Sequence, residues 1–360
     1  MVREQLQETL ASVAYKMKQG IIKCAPRVGK TRIGLKLAEL VGGNTLVIYP
    51  EAPIKQSWVN EIEEIGYEGH ITFSTNMSMA KFLEQPWDLI ILDEIHRLSD
   101  RNIRAIEKIC LQNALSAQIW IIGLTGSLVA ATENELKMRL KMPVIASYSQ
   151  EEAIIDGFVT DYEIRVIQVP LDNSRQIQYK NKWRTEKKQY DAYSFIIKKL
   201  QYEGRNTKFL ALGRMRIIQG SIAKMEATRR LLKKLKSERV LVFCGLIKVA
   251  EQLGIPVHHS KSKDTLSDFL EGRGNHQAVV KLGGTGLTYK PLNYVVINYF
   301  SSNSEELIQR VNRAMNLEFD NPEKKAIIYI ICSTEPIEKG WLAKGLELFD
   351  KSKIKYEQIN

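Results

Sequence analysis

Cysteine is scarce in this chain: Cys24, Cys110, Cys244 and Cys332 are the only four in 360 residues, far apart and mostly inside apolar runs. That spacing draws neither a zinc ribbon nor a disulfide scaffold, and a reducing compartment is the simpler expectation. Long apolar runs are missing too. No segment approaches the roughly 20 residues of a membrane span, and the opening MVREQLQETLASVAYKMKQG lacks the apolar stretch of a signal peptide. There is no Pro-rich linker, low-complexity tract or evident repeat. The expectation is a soluble protein without membrane contact, in the cytoplasm or, if viral, the host cytoplasm. Hydrophobic residues make up 44%, which excludes wholesale disorder, and the length suits two domains with separate cores.

The formal net charge of +11 is unevenly placed. Residues 1–170 hold 18 Lys/Arg against 21 Asp/Glu, residues 171–240 hold 19 against 6, and residues 241–360 hold 15 against 14. The excess therefore sits in one block of seventy residues. Such asymmetry points to a polyanionic partner, nucleic acid above all.

Short apolar runs alternate with helical patterns. The runs are IIKCAP (21–26), TLVIYP (45–50), DLIILD (88–93) and AQIWIIGL (117–124), then RVLVFC (239–244), HQAVVKL (276–282), NYVVINY (293–299) and AIIYII (326–331). Continuous rather than alternating apolar stretches suit strands buried on both faces of a parallel sheet. Strand–helix alternation twice over predicts an α/β protein of two domains with mainly parallel sheets, over 1–158 and 159–360. The seam is expected near 155–172. At least two helical segments are expected in the basic block, near 175–204 and 207–236, and WLAKGLELFDKSKIKY reads as a closing amphipathic helix.

Two motifs carry chemistry. CAPRVGKT (24–31) closes the first strong strand and opens a helix, fitting GxxxxGK[ST] except that Cys24 stands in the first glycine position. Pro26 opens the loop, and the backbone N–H groups of Arg27, Val28, Gly29 and Arg32, with the helix N-terminus, would cradle phosphates. Lys30 would reach the β/γ-phosphates and the Thr31 hydroxyl would ligate Mg²⁺. DLIILDEIHRL (88–98) ends an apolar strand in Asp93 and Glu94. Asp93 suits the second metal carboxylate, and Glu94 the group that orients and deprotonates water. The loop and the carboxylates together predict a bound nucleotide with Mg²⁺.

At DEIH the chain resembles the superfamily 2 helicases and translocases of DExH type, in the expected motif order along nearly its whole length. GLTGS (123–127) is similar to their third motif and VIYPEAPIKQSW (47–58) to the Ia region. RVLVFC resembles motif IV, LGGTGLT (282–288) motif V and QRVNRA (309–314) motif VI. The last two look most like the Swi2/Snf2-type and phage recombination-helicase branches. The resemblance implies a P-loop NTPase fold of two RecA-like lobes around ATP with Mg²⁺, with Arg313 as an arginine finger and Gly286 and Gln309 near the nucleotide. It implies nucleic-acid contacts at Pro50, Lys55 and Thr285, and coupling roles for His96, Thr125 and Ser127. Gln5 or Gln7 would be the family's adenine-reading glutamine, and REQLQ leaves both open. Departures from the pattern are Asn316, where relatives carry a second arginine, and Leu128 in place of a proline after the third motif.

The basic block interleaves Lys/Arg with Tyr179, Trp183, Tyr190, Tyr193 and Tyr202. Positive charge at Lys187 and Lys188 would track phosphates, and rings such as Trp183 would stack on bases. The expected function is an ATP-dependent DNA helicase or duplex translocase on forked or branched DNA, with a monomer sufficient for the chemistry. The alternatives are an RNA helicase of the same fold and a nucleotide-dependent clamp with weak turnover.

Overall fold

The computed structural model describes residues 2–179, 182–259, 265–280, 292–301, 304–311, 324–347 and 349–357. Thr285, Gly286, Arg313 and Asn316 lie outside them, as do the side chains of Gln309 and Tyr179. The chain divides into two compact units between Val159 and Thr160.

The first unit runs α1 (Arg3–Met17), β1 (Gln19–Cys24), α2 (Lys30–Val41), β2 (Thr45–Tyr49), α3 (Ala52–Ile65), β3 (Ile71–Thr75), β4 (Leu89–Asp93), α4 (Asp100–Ser116), β5 (Trp120–Thr125), α5 (Ala130–Leu140), β6 (Val144–Tyr148) and α6 (Gln150–Ile155). Its six strands form a parallel sheet in the order β3-β2-β4-β5-β1-β6. The four apolar runs anticipated from sequence are β2 and β4 with every residue buried, and β1 and β5 nearly so. Strands β3 and β6 lie at the sheet edges, half-buried and mixed in polarity, which is why no apolar run announced them. Ile21, Leu46, Ile90, Ile95, Ile106, Ile121 and Leu136 share one core cluster. Leu128 packs into the same cluster, so the departure from proline there supplies core volume.

The second unit runs β7 (Asp161–Val169), β8 (Ile177–Tyr179), β9 (Lys182–Arg184), α7 (Glu186–Tyr202), α8 (Lys208–Gln219), α9 (Ile222–Lys234), β10 (Val240–Cys244), α10 (Ile247–Gln252), β11 (Val257–His258), α11 (Thr265–Leu270), β12 (His276–Val280), β13 (Tyr294–Ile297), α12 (Ser304–Val311), β14 (Lys325–Ser333), α13 (Pro336–Gly345) and β15 (Ile354–Glu357). Seven of these strands make a second parallel sheet, β11-β12-β10-β13-β14-β7-β15. Its core includes Val240, Val242, Ala278, Val296, Ile331 and, from α9, Leu231 and Leu232.

The division between Val159 and Thr160 falls within the stretch expected as a seam; the rest of that stretch is β7, an internal strand paired with β14 over nine residues, disguised by its charged residues Asp161, Glu163 and Arg165. Two local expectations need correction. The first helix of the basic block begins only at Glu186, because residues 177–184 form the antiparallel β8–β9 hairpin, and the second is two helices broken at Gly220–Ser221. The closing segment is a helix followed by the edge strand β15. All four cysteines are buried free thiols. Among the described residues, no helix is long and apolar enough to cross a membrane.

Candidate active site

The chemistry-bearing residues of the first unit gather at the C-terminal ends of β1, β5 and β4, which are neighbours in the sheet although far apart in sequence. Register aligns Lys23 with Thr125 and Leu124 with Asp93. The phosphate loop, GLTGS and DEIH therefore leave the sheet on one edge, the place where open parallel sheets bind ligands.

The loop geometry explains which residue types are needed. Cys24 is still strand, paired with Tyr148, and keeps an ordinary backbone conformation, so no glycine is required at that position. Burial pushes its thiol up to about 12, leaving an inert packing group. The turn itself falls on Arg27 (φ 71°) and Gly29 (φ 98°), the latter being the N-cap of α2. Gly29 is required twice over: its backbone is left-handed, and a Cβ there would lie 2.4 Å from Gln7 Nε2. Thr31 and Arg32 occupy the first turn of α2, where free backbone N–H groups favour anions. Arg32 itself pairs with Glu61 and Glu64 on α3.

The two glutamines left open by sequence are distinguished by position. Gln7 is buried and donates Nε2–H to the Val28 carbonyl at 2.8 Å, inside the loop. Gln5 is exposed and accepts from the Val2 amide as part of the α1 cap. Lys36 of α2 pairs with Glu4 and Glu8, which fastens α1 to the loop helix.

Lys30 Nζ sits 2.9 Å from Glu94 Oε1, with both side chains mostly buried at 17% and 12% exposure. Burial opposes the lysine charge, but the Glu94 carboxylate outweighs it and holds the pKa above the ordinary lysine range. Burial likewise acts to raise Glu94, yet the Lys30 ammonium keeps it below the usual carboxylate value. Glu94 has φ 50°, ψ 51°, a left-handed conformation that costs a non-glycine residue on the order of 1 kcal/mol and occurs preferentially at functional sites.

Asp93 is held differently. Oδ1 accepts the Glu94 backbone N–H at 2.9 Å and Oδ2 accepts the Trp58 indole N–H at 2.8 Å. Burial, joined by the adjacent Glu94 charge, pushes Asp93 up to about 6. A buried carboxylate aimed by two N–H donors, with the nearby lysine engaged by its neighbour, lacks a full counter-charge, and a divalent cation would supply one. Among the described residues no group of three or more His, Cys, Asp or Glu could hold a metal. Magnesium bound through one carboxylate, a hydroxyl and substrate phosphates needs no such group, so Asp93 with Thr31 fits.

His96 lies in the 3₁₀ turn Ile95–Arg97 after Glu94. Its Nδ1 is 2.7 Å from Thr125 Oγ1 and 3.4 Å from Glu94 Oε2. Thr125 gives its single hydroxyl proton to the Ser127 carbonyl at 2.6 Å, so it accepts from His96 and the Nδ1–H tautomer follows. Burial pushes His96 down to about 4, and the ring is neutral at pH 7. The chain Glu94–His96–Thr125–Ser127 is thus continuous.

Sequence reasoning missed two residues here. Trp58 appeared only as the end of the Ia string, and its contact with Asp93 has no sequence signal. Arg97 pairs with Glu51, the N-cap of α3, joining the Ia segment to the DEIH turn. Pro50 and Lys55 lie within that segment, and Lys55 Nζ lies over the Phe73 ring at 5.7 Å.

In the second unit the basic block separates into paired and exposed charges. Lys224 is fully buried and paired with Glu338. Lys187 is bound to Asp191 at 2.7 Å and Glu335 at 3.0 Å, so it stands less ready for phosphates than its sequence neighbours suggested. Lys188, Lys198 and Lys199 are exposed. Tyr190 is core with Leu171 and Ile218, and Tyr193 packs over Gly213. Trp183, Phe195, Tyr202 and Phe209 are exposed at 63, 71, 96 and 87%.

No protein-family model matches the chain. It is 24% identical over 289 residues to the DNA 3′-5′ translocase XPB2 of Sulfurisphaera tokodaii, covering 71% of this chain and 64% of that protein. It is 21% identical over 348 residues to Rad25 of Halobacterium salinarum, covering 87% and 51%. The chain thus spans between half and two thirds of these relatives. Among solved structures, the Hef helicase domain of Pyrococcus furiosus superposes with a TM-score of 0.54 at 15% identity, over 94% of this chain and 96% of that one. Dbp5 of S. cerevisiae, bound to RNA and ADP–BeF3, gives 0.57 at 11% identity over 94% and 85%. The two parallel sheets are the two RecA-like domains of these helicase folds.

Proposed function

We propose that this chain, a superfamily 2 protein in fold and related in sequence to XPB2 and Rad25, is an ATP-driven helicase or translocase acting on DNA, with forked or branched DNA as its substrate. The observation that carries this reading is the convergence of Lys30, Asp93 and Glu94 at one end of the first sheet, continued through His96 to Thr125. Loop amides and Lys30 bind the phosphates. When Lys30 turns to them, Glu94 loses the ion pair that depresses its pKa and becomes a better acceptor for the proton of the attacking water. Asp93 and Thr31 would hold a magnesium ion, which would shield phosphate charge. Gln7, already bonded to the loop, reads adenine. His96 and Thr125 join the Glu94 position to the GLTGS turn, through which hydrolysis is coupled to movement. Arg313 carries the finger role that the resemblance assigns.

The DNA-named relatives support DNA over RNA, while the RNA-bound Dbp5 neighbour keeps an RNA helicase as the second reading. The test is ATP hydrolysis by the purified chain with single-stranded, duplex, forked and four-way DNA and with RNA. DNA stimulation, with forked or branched DNA strongest, is expected, and stimulation by RNA alone overturns the DNA reading. Glu94→Gln is expected to abolish hydrolysis while ATP still binds. Binding without turnover in the unaltered chain would favour the clamp that Asn316 suggests.

A further inference from the structure

Helix α3 is fastened to the DEIH strand at two points. At its start, Glu51 pairs with Arg97 just past His96. Two turns later the Trp58 indole N–H reaches Asp93 Oδ2 at 2.8 Å, in a fully buried position. The ring has no room to withdraw toward α2, because only the absence of a Cβ at Gly34 admits it; one built there would lie 2.4 Å from the Trp58 ring. On its other side Trp58 meets Phe73 edge-on, with ring centroids 6.5 Å apart. Phe73 is also the ring beneath the Lys55 ammonium. Lys55 and Trp58 are three residues apart on one helix and so stand one above the other. Lys55 is exposed, where the reading above has it meet nucleic acid, and Trp58 holds the carboxylate assigned there to the metal.

We infer that Trp58 is a positioning residue for Asp93, and that nucleic acid engaged at Lys55 acts through α3 and Trp58 to tighten magnesium–nucleotide binding. This rests on the reading of the site proposed above. A carboxylate with one donor on each oxygen is fixed in rotation. Without the indole N–H only the Glu94 amide still holds it, the carboxylate gains freedom to turn about its Cα–Cβ and Cβ–Cγ bonds, and metal affinity falls, as it does when the outer partner of a ligand is removed. Because binding linkage is reciprocal, magnesium–nucleotide then tightens nucleic-acid binding by the same factor.

The test uses the full chain, a fluorescent ADP analogue and a magnesium titration, with and without a single-stranded oligonucleotide. In the unaltered protein the oligonucleotide is expected to lower the magnesium midpoint for nucleotide binding. Trp58→Phe keeps an aromatic ring against Phe73 and Gly34 but deletes the donor. It is expected to raise the midpoint about tenfold, to remove the oligonucleotide's effect on it, and to regain full binding at high magnesium, which a damaged fold would not do. A midpoint and oligonucleotide response equal to those of the unaltered protein overturn the inference alone. Loss of any magnesium-dependent nucleotide binding in the unaltered protein overturns the site reading and the inference with it. Should Trp58→Phe fail to fold, fluorine NMR of the unaltered chain labelled with 5-fluorotryptophan decides. The five tryptophans give five resonances, with that of Trp58 assigned by replacing the other four in turn. A shift on adding magnesium and ADP, and a further one on adding oligonucleotide, are expected. A Trp58 resonance unmoved by both refutes the inference.

Discussion

Replacing Lys224 by methionine is expected to destabilise the second unit by about 3–5 kcal/mol, the range for breaking one side of a buried ion pair. Lys224 and Glu338 are both completely buried, on α9 and α13 respectively. The second Glu338 oxygen accepts the Ser333 backbone N–H at 2.6 Å, and the lysine ammonium lies 5.5 Å from the centre of the Phe300 ring. Methionine fills the aliphatic part of the lysine volume, so little of the loss comes from packing. The cost comes from the carboxylate, which retains one backbone donor and no cation in a site closed to water. With a urea dependence near 3 kcal/mol per M for a unit of this size, the midpoint should fall by about 1 to 2 M. Adding Glu338→Gln removes the stranded charge while keeping an acceptor for Ser333, and should restore at least about 2 kcal/mol. The assay is urea unfolding of both variants beside the unaltered chain, followed by hydrogen exchange of β14 amides so that the second unit is read separately. A midpoint shift below about 0.3 M, or a double variant no better than the single one, would refute the reasoning.

Further outcomes follow from the site. Gln7→Ala is expected to lose about 1 kcal/mol of stability with its bond to Val28 and to lose preference for ATP over GTP. Gln5→Ala should leave that preference intact, and nucleotide competition measures both. Thr125→Val removes the acceptor of His96 and the donor to Ser127, and should lower DNA stimulation of hydrolysis more than it lowers ATP affinity. Neutralising exposed Lys188, Lys198 and Lys199 should flatten the salt dependence of DNA binding by about 0.7–0.9 for each phosphate that no longer meets a lysine. Lys187→Gln alone should change it little, because its ammonium already serves Asp191 and Glu335; binding titrations across a salt series decide.

Much of this was legible in residue order. Strands buried on both faces must be apolar throughout, so all eight runs named from sequence are strands of the two sheets. Loop chemistry is local as well: CAPRVGKT and DEIH stand out in the sequence because the phosphate and metal chemistry proposed for them would demand those residue types in succession. Edge strands were not legible. β3, β6 and β15 need to be apolar on only part of their surface, and β7 carries charges that find partners in Lys353 and Lys355 across the sheet.

Side-chain partnership was decided by tertiary structure alone. Sequence left Gln5 and Gln7 equivalent; the docking of α1 on α2 buries one against the loop and leaves the other capping a helix. Sequence counted Lys188 and Lys224 alike in a basic block, although one is exposed and the other closes an internal ion pair. Trp58 and Asp93 are 35 residues apart, and only the packing of α3 against Gly34 brings the indole to the carboxylate. Composition and motif order are properties of the chain as written, and they determine the class of fold and the kind of chemistry. Which donor meets which acceptor depends on the paths that bring distant segments together, and a one-dimensional pattern does not record them.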